Sequence, residues 1–120
     1  MADAPDALQQ LAERLQQFAH ERDWGRFHSP KNLASALVVE AAELLEPFQW
    51  LTEAQSRQLT PQAKQAVAHE MADVLLYLIQ LSSSLGVDLA AAAWEKVAIN
   101  EQRFPKVGLE GLASHVDPAA

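Results

Sequence analysis

Five acidic side chains at helical spacing carry the chemistry of this chain. Glu40, Glu43 and Glu46 follow one another at steps of three inside the apolar stretch SALVVEAAELLEPFQW. A helix turns about 100° per residue, so the three carboxylates share an arc of roughly 120°. Leu37, Val38, Leu44 and Leu45 surround them, which sets that arc close to packed interior. Acids are almost never buried unless they are paired or hold a cation. A second pair, Glu70 and Asp73, stands three apart in the equally apolar HEMADVLLYLIQL. Two such helices side by side would bring all five together. An all-oxygen donor set suits hard cations, Mg²⁺ or Mn²⁺, rather than zinc or copper.

Other metal chemistries are disfavoured by the same residues. His69-Glu70-Met71-Ala72-Asp73 lacks the second histidine of the zinc signature H-E-x-x-H. A ferritin-like di-iron site needs a histidine three residues after a glutamate on each of two helices, and neither acidic helix supplies one. The bland alternative is a pair of solvated acidic faces. Against it stands a second acidic pair in so apolar a helix, where uncompensated like charges would repel.

The positioning elements follow from start and stop signals. Asp6 can cap a first helix from Ala7 to about Arg22, and Asp23 to His28 breaks that pattern. Ser29-Pro30 opens the first acidic helix, which Pro47 should end after Glu46. Thr52 to Gln58 reads as a polar connection. Thr60-Pro61 opens the second acidic helix, which runs to Leu85 and stops at Gly86. Asp88 can cap a last helix that reaches about Arg103 and ends at Pro105 and Gly108. The expected fold is all-α, a four-helix bundle forming a single domain over residues 1–105. Residues 106–120 read as a loosely ordered tail. Both acidic helices are apolar around most of their circumference, which predicts a homo-oligomer, dimer or tetramer, that hides the surplus.

Composition limits the function. At 120 residues the chain has room for one core. It has no cysteine, and its N-terminus carries neither a basic start nor an apolar stretch. No apolar run approaches the length of a membrane span. We read a cytoplasmic protein with no membrane partner. A net charge of −7 argues against a nucleic acid polymer, whose phosphates require a basic surface. It leaves room for a small anion bridged to the carboxylates by a divalent cation.

Taken together, FHSPKNLASALVVEAAELLEPFQW, HEMADVLLYLIQLSSSLGVDL and KVAINEQRFP resemble the MazG-like nucleotide pyrophosphohydrolases, most of all the branch of small dCTP pyrophosphatases. The resemblance covers Phe18 to Pro105. The family's E-E-x-x-E is matched at Glu40 and Glu43, with Val39 in place of the first acid. Its E-x-x-D is matched by Glu70 and Asp73. The dCTPase branch also lacks that first glutamate.

The resemblance implies that Glu40, Glu43, Glu70 and Asp73 hold Mg²⁺ against a nucleoside triphosphate, dCTP or a modified dCTP. Water would attack the α-phosphorus to give the monophosphate and pyrophosphate. Glu46 would orient the water or join the metal shell. Lys96, Asn100 and Arg103 recur on one face of the last helix; the resemblance makes Lys96 and Asn100 phosphate and sugar contacts and Tyr77 another substrate contact. Trp24 and Trp50, each in an irregular segment beside the acidic helix, are the candidates for stacking on the base. His28 could hydrogen-bond base or phosphate, Asn32 is a further candidate, and Trp94 reads as packing. Two alternatives are a phosphoribosyl-ATP pyrophosphohydrolase and a non-catalytic helical interaction module.

Overall fold

Side-chain caps set where each long helix begins. The computed structural model describes residues 6–106, and their regular structure is entirely helical. Asp6 Oδ1 accepts from Gln9 N at 2.6 Å and starts α1 (Ala7–Glu21). Ser29 Oγ accepts from Asn32 N at 3.1 Å and starts α2 (Pro30–Leu45). Thr60 and Asp88 do the same for α4 (Pro61–Leu85) and α5 (Leu89–Arg103). In each case the cap satisfies one of the amides that a first turn leaves unpaired. These bounds lie within a residue of those expected. The helix ends are equally local. Pro47 stops α2, and Gly86, at φ +68°, closes α4 in the left-handed conformation that glycine adopts without cost.

One expectation needs correction. The connection Thr52 to Gln58 contains a one-turn helix, α3 (Glu53–Ser56). Its cause is a capping box: Gln55 N donates to Thr52 Oγ1 at 3.1 Å, while Thr52 N donates to Gln55 Oε1 at 2.9 Å. A short 3₁₀ turn, Gly25–Phe27, fills the break between α1 and α2.

The described residues fall into two compact units divided between Val87 and Asp88. The tail expected over residues 106–120 lies, beyond 106, outside the described residues. Within the first unit α4 packs chiefly along α2, and less extensively against α1. Glu40 and Glu43 of α2 meet Glu70 near the middle of α4, whereas Leu33 shares a cavity wall with Ser83 and Ser84 near its end. The two helices are therefore antiparallel.

Leu33 and Ile79, each only 2% exposed, and Val67 are the buried apolar side chains among the described residues. Each contributes about 1.5–3 kcal/mol by leaving water. Val38, at 68% exposed, with Val39, Leu45 and Met71, lies open on α2 and α4. Trp94, expected to pack, is also exposed. No single helix among the described residues is long and apolar enough to cross a membrane.

Candidate active site

The antiparallel pair α2–α4 brings three of the five acids together. Glu40, Glu43 and Glu70 each offer one carboxylate oxygen, and these oxygens lie within 4.8 Å of one another. That separation is about twice a metal–oxygen bond of roughly 2.0–2.6 Å. One oxygen of Glu40 and one of Glu70 are shielded from water without a hydrogen-bond partner among the described residues. None of the ion pairs among the described residues involves the cluster; Glu21–Arg22, Asp23–Arg26 and Glu53–Arg57 all lie elsewhere.

Electrostatics extends the cluster to all five acids. Desolvation is the largest influence pushing Glu40 above the ordinary carboxylate range. Hydrogen bonding with the Glu43 side chain and the charges of Glu43, Asp73 and Glu70 push the same way. Desolvation also leads for Glu70, followed by the charges of Glu43, Asp73 and Glu46, with His69 acting weakly in the opposite sense. Shielded carboxylate oxygens without hydrogen-bond partners among the described residues, on groups raised by their own neighbours, lack a positive charge. An oxygen-preferring divalent cation fits this donor set.

A cavity of about 290 Å³ opens beside the cluster, and Asp73 is part of its wall. Trp24, Phe18, His28, Tyr77 and Gln80 line it further along. The break between α1 and α2 shapes its aromatic side. Asp23 takes a left-handed conformation at φ 53°, turning the chain so that Trp24 N donates back to Ala19 O at 2.9 Å. Trp24 then meets Phe18 edge-on at 5.3 Å between ring centroids and His28 at 6.4 Å. The Asn32 side-chain amide donates to Phe27 O at 3.0 Å, fixing this segment to the first turn of α2. A second cavity, about 350 Å³, shares Leu15, Ala19, His28 and Gln80 with the first and continues toward His20, Asp23 and Ser83.

The expected site residues thus divide into groups. Glu40, Glu43 and Glu70 form the metal-sized cluster, with Glu46 and Asp73 within its field. Trp24, His28 and Tyr77 share the adjoining cavity with Asp73. Asn32 holds the loop, and Trp50 stands 87% exposed in the turn after α2. Lys96, Asn100 and Arg103 lie on one face of α5 in the second unit. Sequence reasoning missed Phe18 and Gln80. Phe18 continues the apolar series Leu8, Leu11 and Leu15 of α1, a spacing that signals packing alone. Gln80 was detectable as the polar residue that continues the series Glu70, Asp73, Tyr77 at steps of three and four.

Comparison with known proteins gives the arrangement a context. The model of the MazG-like family matches residues 36–114. The dCTP pyrophosphatase 1 of Homo sapiens is 41% identical over 100 residues, covering 82% of this chain and 59% of the human protein. That of Mus musculus is 42% identical with the same coverage. The chain therefore spans about 59% of the length of these relatives. Among solved structures, a pyrophosphatase from Archaeoglobus fulgidus superposes with a TM-score of 0.80 at 35% identity, covering 86% of this chain and 96% of that one.

Proposed function

Because the chain belongs to the MazG-like family, we propose that it is a Mg²⁺-dependent, cytoplasmic pyrophosphohydrolase that converts dCTP or a modified dCTP to the monophosphate and pyrophosphate. One observation carries the reading: Asp73, whose charge acts on Glu40 and Glu70 of the carboxylate cluster, also lines the cavity of Trp24, Phe18 and Tyr77. An aromatic compartment accepts a flat base, and an oxygen-rich cluster beside it grips phosphates through a cation. A nucleoside triphosphate has that sequence of parts.

Within this reading Glu40, Glu43, Glu70 and Asp73 hold the cation. When bound, Mg²⁺ supplies the positive charge that offsets the phosphate oxygens. Phosphoryl transfer needs alignment and charge neutralisation more than covalent help, so the protein's task is placement. Trp24, in T-shaped contact with Phe18, offers a ring face to the base; stacking of this kind is worth about 1–3 kcal/mol. Glu46, within the field of Glu70, orients the attacking water or completes the metal shell. The base in the cavity and the acids at its end together keep the α-phosphorus near the cluster.

The exposed Val38, Val39, Leu45 and Met71 support a homo-oligomer, dimer or tetramer, that covers this apolar surface. Light scattering on the purified protein tests it. The activity is tested by incubating single nucleotides with Mg²⁺: monophosphate plus pyrophosphate is the expected outcome. Orthophosphate with a diphosphate would place the cleaved bond elsewhere, and no turnover together with no metal-induced rise in melting temperature would favour a silent helical module.

A further inference from the structure

We propose that Gln80 reads the base, its carboxamide oxygen accepting from an exocyclic amine, so that a base carrying an amine at that edge is taken and one carrying a keto oxygen is refused. The proposal rests on the pyrophosphohydrolase reading and adds to it the residue that selects among bases. Its first support is position. Glu70, Asp73, Tyr77 and Gln80 follow at steps of three, four and three, so all four share one face of α4. Asp73 and Gln80 both line the aromatic cavity, and seven residues of helix separate them by about 10 Å along the axis. That is the order of the distance from a nucleotide's phosphates to the far edge of its base. With the phosphates at the acidic end, the base edge reaches Gln80.

The second support is the fixed orientation of the amide. Gln80 Nε2 lies 3.3 Å from Leu76 O. A carbonyl oxygen only accepts, so the nitrogen must face it, and this decides which end of the carboxamide is which. Oε1 makes no hydrogen bond among the described residues. A half-buried amide held in this way presents an acceptor whose partner must be a donor. The other polar side chains of the cavity are less selective: the Tyr77 hydroxyl rotates, and the His28 ring can change tautomer. Each can satisfy an amine or a keto group. Gln80 cannot exchange its two ends without giving up the Leu76 bond.

The chemistry then favours cytosine over uracil or thymine. An amine places a proton between its nitrogen and Oε1, whereas a keto oxygen brings two acceptors together with none. An acceptor that the bound base cuts off from water and leaves unpaired costs about 1–3 kcal/mol, or roughly 5- to 150-fold in relative kcat/KM.

The test compares kcat/KM for dCTP and dUTP, which exchange amine for keto at C4 and with it an acceptor for an N–H at N3, in wild type, Gln80→Leu and Gln80→Glu. Their ratio is independent of the fraction of enzyme folded. Wild type should favour dCTP, Gln80→Leu should lose that preference by roughly 5- to 150-fold, and Gln80→Glu, which keeps an acceptor, should retain it. For a variant too slow to assay, the melting-temperature shifts given by dCMP and dUMP supply the same comparison. An unchanged ratio in Gln80→Leu overturns the proposal while leaving the activity intact. Equal turnover of both nucleotides by wild type also overturns it. A wild-type protein that cleaves no triphosphate removes the activity, and the proposal with it.

Discussion

Glu40 on α2 and Glu70 on α4 face one another across the helix pair, each holding one carboxylate oxygen out of water with no hydrogen-bond partner among the described residues. Both are raised above the ordinary carboxylate range, chiefly by desolvation and then by neighbouring acids. A carboxyl raised in the folded state binds its proton more tightly there than in the unfolded chain. Its contribution to stability is full below the ordinary value near 4.5 and is lost as pH climbs through the raised value.

Metal binding should therefore displace protons and grow with pH. Melting curves with and without millimolar Mg²⁺ should show a small shift at acid pH and a larger one at neutral pH. Calorimetry in buffers of different ionisation enthalpy should record proton release on the low side of neutrality. A shift of constant size across that range would mean that these two carboxyls are not ligands.

Glu70→Gln keeps the shape of the side chain but removes its charge. In metal-free buffer the variant should melt at or above the wild-type temperature, because it relieves repulsion from Glu43, Asp73 and Glu46. Its turnover should fall by about a hundredfold or more, as expected when a preorganised electrostatic contact is lost. A variant that melts well below wild type, with its activity per folded molecule preserved, would assign Glu70 to structure instead.

Trp24→Ala should weaken nucleotide binding through the lost stacking face, raising KM for dCTP by roughly 5- to 150-fold. Trp24→Phe, which retains a flat ring beside Phe18, should recover most of the loss. Steady-state kinetics separates the two variants. A lowered kcat at unchanged KM in both would assign Trp24 to placement of the catalytic acids.

Gly86→Ala tests the stop of α4 by itself. A new methyl at this position meets no atom within 4 Å, so the cost is backbone strain at φ +68° and nothing else. About 1–2 kcal/mol of stability should be lost in urea denaturation, with dCTP hydrolysis under native conditions little changed.

The acids and the helices that carry them were legible because both follow local rules. Caps, prolines and Gly86 marked every long helix to within a residue, and steps of three aligned Glu40, Glu43, Glu70 and Asp73. α3 escaped because its capping box, Thr52 with Gln55, looks like any polar loop until both bonds are seen. Phe18 and Trp24 lie six residues apart across a chain reversal, and their contact depends on the left-handed turn at Asp23, which no periodicity announces. Gln80 resembled an incidental polar residue in an apolar helix; only the shared cavity wall connects it with Asp73.

The face of α4 that carries Glu70, Asp73, Tyr77 and Gln80 works as a ruler, graduated in steps of about 1.5 Å. Its two ends can be retuned by substitution, but the distance between them is set by counting. One residue inserted between Asp73 and Gln80 would swing everything beyond it by about 100° around the axis, parting the acids from the far edge of the cavity. On that geometry the stretch tolerates exchange of side chains but not a change of length.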